Sequence, residues 1–177
     1  MIAVAIISVL TTLAVISFKR VSSRARSAEV YGMLGELRTK EEAYRAEYSV
    51  YCNTQSTCAT TASESTFYPA LVTQEPKLKP VSSATWPAAW TALGISTSKS
   101  ALYCGYVVVA GCGSASGASC AGFTAGANGA ALFGGTQPTG AWWYATGTCD
   151  QDGVPGTNTI YETPMNTATV TVLNEGQ

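Results

Sequence analysis

Apolar residues fill the first 18 positions without a break. Residues 1–18 read MIAVAIISVLTTLAVISF and contain no charge, glycine or proline. A helix rising about 1.5 Å per residue would span roughly 27 Å there, close to the ~30 Å of bilayer hydrocarbon. Lys19, Arg20, Arg24 and Arg26 end the run. A secretory signal peptide carries basic residues ahead of its apolar core and a small-residue cleavage site behind it. In this sequence nothing basic precedes the run, and the helical pattern continues past Phe18. The signal-peptide reading is set aside on that comparison.

The continuation is striped. Val30, Leu34, Leu37, Glu41, Tyr44, Tyr48 and Tyr51 step by four and three, the spacing of one helical face, with Glu41 its only polar member. Glu36–Lys40, Glu41–Arg45 and Arg38–Glu42 are spaced to pair along an exposed surface. The first proline is Pro69. One helix reaching about Tyr51 is therefore expected, greasy all round in residues 1–22 and amphipathic in residues 23–51. These are an anchor and a packing spine.

After Tyr51 the pattern changes. Residues 52–177 hold nine charges, and Pro69, Pro76, Pro80 and Pro87 make residues 52–100 an irregular connection, with a short helix within residues 84–93. Strand signals follow at residues 101–110, 140–148, 157–163 and 167–173. Residues 113–135 are nearly all Gly, Ala and Ser and read as a loop, with a short strand near residues 130–133. Trp86, Trp90, Trp142 and Trp143 read first as packing; an exposed pair at Trp142–Trp143 would mark a contact surface, but alternation along a strand puts one of the two inside. A strand cluster after a long helix predicts an α+β fold: an antiparallel sheet packed on the striped half of the helix, with residues 52–177 as a globular β domain.

Composition narrows the chemistry. The 177 residues are 46% hydrophobic but only 12% charged, with a net charge of -1, which gives no support to nucleic-acid binding. Histidine is absent, so Ser-His-Asp and Cys-His catalysis, His-bearing zinc sites and His-ligated haem are excluded. The six cysteines, Cys52, Cys58, Cys104, Cys112, Cys120 and Cys149, lack the CxxC spacing of metal sites. Structural disulfides in an oxidising compartment are the reading. Six cysteines allow 15 connectivities. Cys52–Cys58 and Cys112–Cys120 are expected as local loops, with Cys104–Cys149 joining two strands.

The run Met1-Ile2-Ala3-Val4-Ala5-Ile6-Ile7-Ser8-Val9-Leu10, continued by Ala14-Val15-Ile16-Ser17-Phe18, resembles the second part of the N-terminal motif of type IV pilins and pseudopilins. The likeness is specific over about 18 residues and architectural beyond them. It implies a long helix whose apolar half protrudes from a disulfide-bonded β domain. It also implies a subunit held in the inner membrane, then extracted by the pilus assembly machinery into a homopolymeric extracellular filament. Ile2, Val4, Ile6, Val9, Leu10, Leu13, Ala14, Val15 and Phe18 would form the filament core. Two departures stand out. The family's processing glycine, methylated first residue and early glutamate would lie upstream of Met1. Ser8 and Ile16 stand where many members carry the glycine and proline that ease local unwinding.

The expected function is thus a filament subunit, serving adhesion or motility. The alternatives are a pseudopilin of a type II secretion system and a monomeric membrane-anchored binding domain. No enzyme signature is present: GxSxG, HExxH, a P-loop and a strand-to-helix GxGxxG are all missing. The helix tyrosines read as packing rather than an electron path. Asp150 and Asp152 begin like a calcium loop, but Val154, Pro155 and Tyr161 fall where ligands or loop geometry are needed. A tight Asp-Gly turn is the stronger reading, and no other cofactor is expected.

Overall fold

The computed structural model describes residues 2–54, 58, 66–70, 78–82, 86–95, 100–112, 131–136, 138–151 and 158–174. The side chains of Ala5, Ile16, Lys19 and Arg20 lie outside the described set. Residues Ile2–Tyr48 form one helix, α1, of 47 residues and about 70 Å. It stops three residues before the expected end. Ser49 takes a left-handed conformation (φ 61°), and its N–H closes on the Arg45 carbonyl at 2.8 Å, a helix-terminating turn.

Four antiparallel strands follow in the order β3-β4-β5-β6: β3 (Gly105–Gly111), β4 (Trp142–Cys149), β5 (Thr159–Pro164) and β6 (Thr171–Leu173). A second, two-stranded sheet pairs β1 (Lys79–Pro80) with β2 (Ala101–Leu102). A short helix, α2 (Ala88–Ala92), buries Ala89 and Trp90. The fold is α+β with antiparallel sheets. The outer edge of β3 is paired as well: Thr54 N–H donates to Val108 O (3.1 Å), and Tyr68 and Tyr106 exchange two bonds of 2.9 Å. That covers an edge that would otherwise recruit other strands.

The helix meets the sheet along Val30, Met33, Leu34 and Leu37, which share one core with Tyr106, Val108, Ala110, Trp143, Ala145 and Tyr161. Helix and sheet come close at Gly147, where a Cβ would lie 2.9 Å from Val30 Cγ1. The opposite sheet face is also covered. Val107, Val109, Trp142 and Tyr144 pack against Phe67, Leu132, Phe133 and Met165. Trp142 stacks on Tyr144 (6.1 Å between centroids), with Phe133 edge-on to both.

The packing reading of Trp142 and Trp143 holds: they alternate as a strand requires, and both are buried because each face of the sheet has its own cover. Several other expectations are corrected. The strand expected at residues 101–110 is two strands in different sheets, separated at Tyr103 and Cys104, whose N–H groups turn to the Glu29 carboxylate. Ala131 and Leu132 are helical rather than extended. Tyr48 is 54% exposed, its ring 4.5 Å from that of half-buried Tyr44 and tilted 31° to it. It lies beyond the last helical turn that touches the sheet. Tyr51 instead returns over the sheet from the loop, its ring edge-on to Trp143. Glu41 does not pair with Arg45: it is fully buried, and Arg45 donates to Tyr51 OH at 2.7 Å.

Candidate functional site

The first third of α1 is the feature without a role in the fold. Ile2, Val4, Ile6, Val9, Leu10, Leu13, Val15 and Phe18 are all exposed, from 51% at Val15 to 79% at Ile2. Ile7 and Val21 join them, and Ala14 is exposed too. At 100° per residue these positions surround the helix rather than marking one face. Ile2, Ile6, Val9 and Leu10 border a shallow apolar groove. An apolar surface of this extent marks contact with other molecules or lipid.

The two threonines inside the run do not oppose burial. Thr11 Oγ1 donates to Ile7 O (2.7 Å), and Thr12 Oγ1 donates to Ser8 O (2.7 Å) and Val9 O (3.1 Å). Their hydroxyls are satisfied within the helix, so covering them with lipid or a packed neighbour strands no donor. Ser8 and Ile16 leave the helix unbroken. Among the described residues no helix is long and apolar enough to cross a membrane. The expected span includes Met1, Ala5 and Ile16, whose side chains lie outside those residues.

A polar clamp marks where the bare helix becomes the docked one. Ser23 Oγ donates to Gln151 Oε1 (2.8 Å), Arg26 Nη1 to Gln151 O (3.0 Å), and Gln151 Nε2 to Tyr161 OH (2.6 Å) and Ser27 Oγ (3.2 Å). Arg26 also lies over the Tyr103 ring, while Arg24 is exposed. One turn on, buried Glu29 accepts from Tyr103 N–H (2.9 Å), Cys104 N–H (3.4 Å) and Tyr106 OH (3.2 Å). Burial, reinforced by the Glu29 charge, pushes the Tyr106 phenol above its ordinary value, so it stays a donor. Further along, Arg38 donates to the carbonyls of Met165 and Thr167 beyond β5. These contacts extend the docked face N-terminally from buried Val30 through part-buried Ser27 and Ser23. The spacing of four and three was present in the sequence, but apolar periodicity alone passes over serines.

The cysteines tie the loops and strands of the domain together. Cys52 is bonded to Cys58 and Cys104 to Cys149, two of the three pairs expected. Cys112 is also disulfide-bonded, and its expected partner Cys120 lies outside the described residues. Asp150 is half-buried at the end of β4, close enough to Lys79 for its charge to act there; Asp152 lies outside the described residues. Among the described residues no three acidic or cysteine side chains group to hold a metal ion.

In comparisons with known proteins, no family model, no curated protein and no solved structure matches this chain.

Proposed function

We propose that this protein is the structural subunit of a type IV pilus-like filament. One observation carries the reading: a single helix is both the core element of the β domain and, for its first third, an apolar rod exposed on every side. A tethered enzyme or receptor is usually separated from its anchor by a flexible stretch. Here the helix passes from rod to domain through the Ser23–Gln151 and Arg26–Gln151 clamp with no joint. Apolar surface gains about 25 cal/mol per Å² when removed from water, so the rod requires lipid or other copies around it. Identical subunits stacked by one screw operation meet all these needs at once, since a head-to-tail interface that does not close makes a filament.

On this reading the subunit waits in the inner membrane, is extracted by pilus assembly machinery, and ends as part of an extracellular filament. The helices form the filament core and the disulfide-bonded β domains its outer surface. The role is mechanical rather than enzymatic. Electron microscopy of material sheared from intact cells tests it: immunolabelled filaments containing this chain are expected. Recovery of the chain solely in the membrane pellet would support a monomeric anchored domain instead.

A further inference from the structure

Glu41 is the one fully buried carboxyl on the docked face of α1, and its two oxygens are treated unequally. Oε2 accepts the Cys52 N–H at 3.0 Å, while Oε1 is buried with no hydrogen-bond partner. The segment it holds is the return from the helix: Ser49 reverses the chain, Cys52 is tied to Cys58, and Thr54 pairs with Val108. We propose that Glu41 is a proton-operated latch, which holds residues 49–54 against α1 when protonated and releases them when ionised.

The chemistry follows from Oε1. A protonated carboxyl leaves one neutral oxygen without a partner, a tolerable cost; a carboxylate there needs water, and water reaches it only if the segment lifts. Burial pushes the Glu41 carboxyl up to about 8; the Cys52 N–H pulls it back in part, and the neighbouring Glu42 charge adds to the rise. Glu42 is the only charge acting on Glu41 among the described residues. Arg45 is engaged with Tyr51, and α2 and residues 52–54 carry no ionisable side chain beyond the disulfide-bonded Cys52. From the sheet, β3 and β4 bring Tyr106 and disulfide-bonded Cys149 to the helix side, and β5 brings Tyr161, while Tyr144 and Glu162 lie on the other face.

The sign is fixed by linkage. The folded value lies above the ordinary 4.5, so the stabilisation is fully present below about pH 4.5 and is lost as pH rises through about 8. Hydrogen–deuterium exchange of the full chain in detergent micelles, corrected for intrinsic rates, reads this directly. Opening of residues 49–54 is expected to rise roughly tenfold per pH unit between about pH 5 and 8, the slope of one proton, and then level off. Residues 142–149 should show no such slope. Glu41→Gln keeps an acceptor for Cys52 and should be flat across the range. Glu42→Gln should end the slope at lower pH, and it keeps the test decisive if Glu41→Gln does not fold. A flat wild type, an unchanged slope in Glu41→Gln, or an unmoved end point in Glu42→Gln overturns the latch.

Discussion

Two residues decide whether α1 stays on the sheet. Glu29 satisfies two backbone donors at the break between β2 and β3, together with the Tyr106 hydroxyl. Truncating it strands buried donors, each worth ~1–3 kcal/mol. Glu29→Ala should therefore lose about 3 kcal/mol in denaturant unfolding, and Glu29→Gln, which keeps an acceptor oxygen, less than half of that. Equal losses would show that the carboxyl acts by volume alone. Gly147 matters for the opposite reason. A methyl group there meets Val30 at 2.9 Å and the Tyr106 ring at 3.3 Å, and both side chains are fully buried. Gly147→Ala should cost ~1–3 kcal/mol by overpacking. A neutral result in the same unfolding assay would mean that the helix is free to shift on the sheet.

At the scale of elements, the two described disulfides do unequal work. Cys104–Cys149 joins the start of the β3 segment to the end of β4 across 45 residues, while Cys52–Cys58 closes a separation of six. Loop-closure entropy assigns roughly 4 kcal/mol to the first and about 2 kcal/mol to the second. Paired Cys→Ser variants, which leave no odd thiol, should lower the denaturant midpoint in that order; the reverse order would contradict the entropic account. What the sequence disclosed about these elements depended on their period. Val30, Leu34 and Leu37 are legible because helical spacing and burial coincide. The end of α1 was not, because Ser49 leaves the helix through a left-handed turn that serine rarely announces. The break at Tyr103 and Cys104 was hidden inside a continuous strand-like run: it is set by a glutamate 75 residues away from Cys104. For the Trp pair, alternation gives the face of each ring but not whether that face is covered; the packing reading holds for both because each face has its own cover. Of the candidate site, the apolar run was fully legible; the clamp at Gln151 was not, being built from polar residues on separate elements.

The whole molecule is a rod with a domain fastened along its second half. The β domain shares its main core with the second half of α1, and among the described residues both sheet faces are covered. The rod has no such cover: from Ile2 to Phe18 its described large apolar side chains are more than half exposed. Lipid satisfies such a surface whatever its shape, whereas packed helices satisfy it only if small residues stay small. Ala14 separates the two cases. It sits among Leu10, Leu13, Val15 and Phe18, exposed on the bare helix. Adding an indole there leaves the rod apolar, so insertion into a bilayer should be unchanged; in a packed core the added volume costs ~1–3 kcal/mol per site and recurs in every subunit. The most direct measurement is the recovery of wild type and Ala14→Trp in the membrane pellet and in the sheared filament fraction of the same cells. Equal membrane recovery with loss of Ala14→Trp from the filaments is the predicted result. Filaments of normal yield from Ala14→Trp would contradict a core built from packed α1 helices.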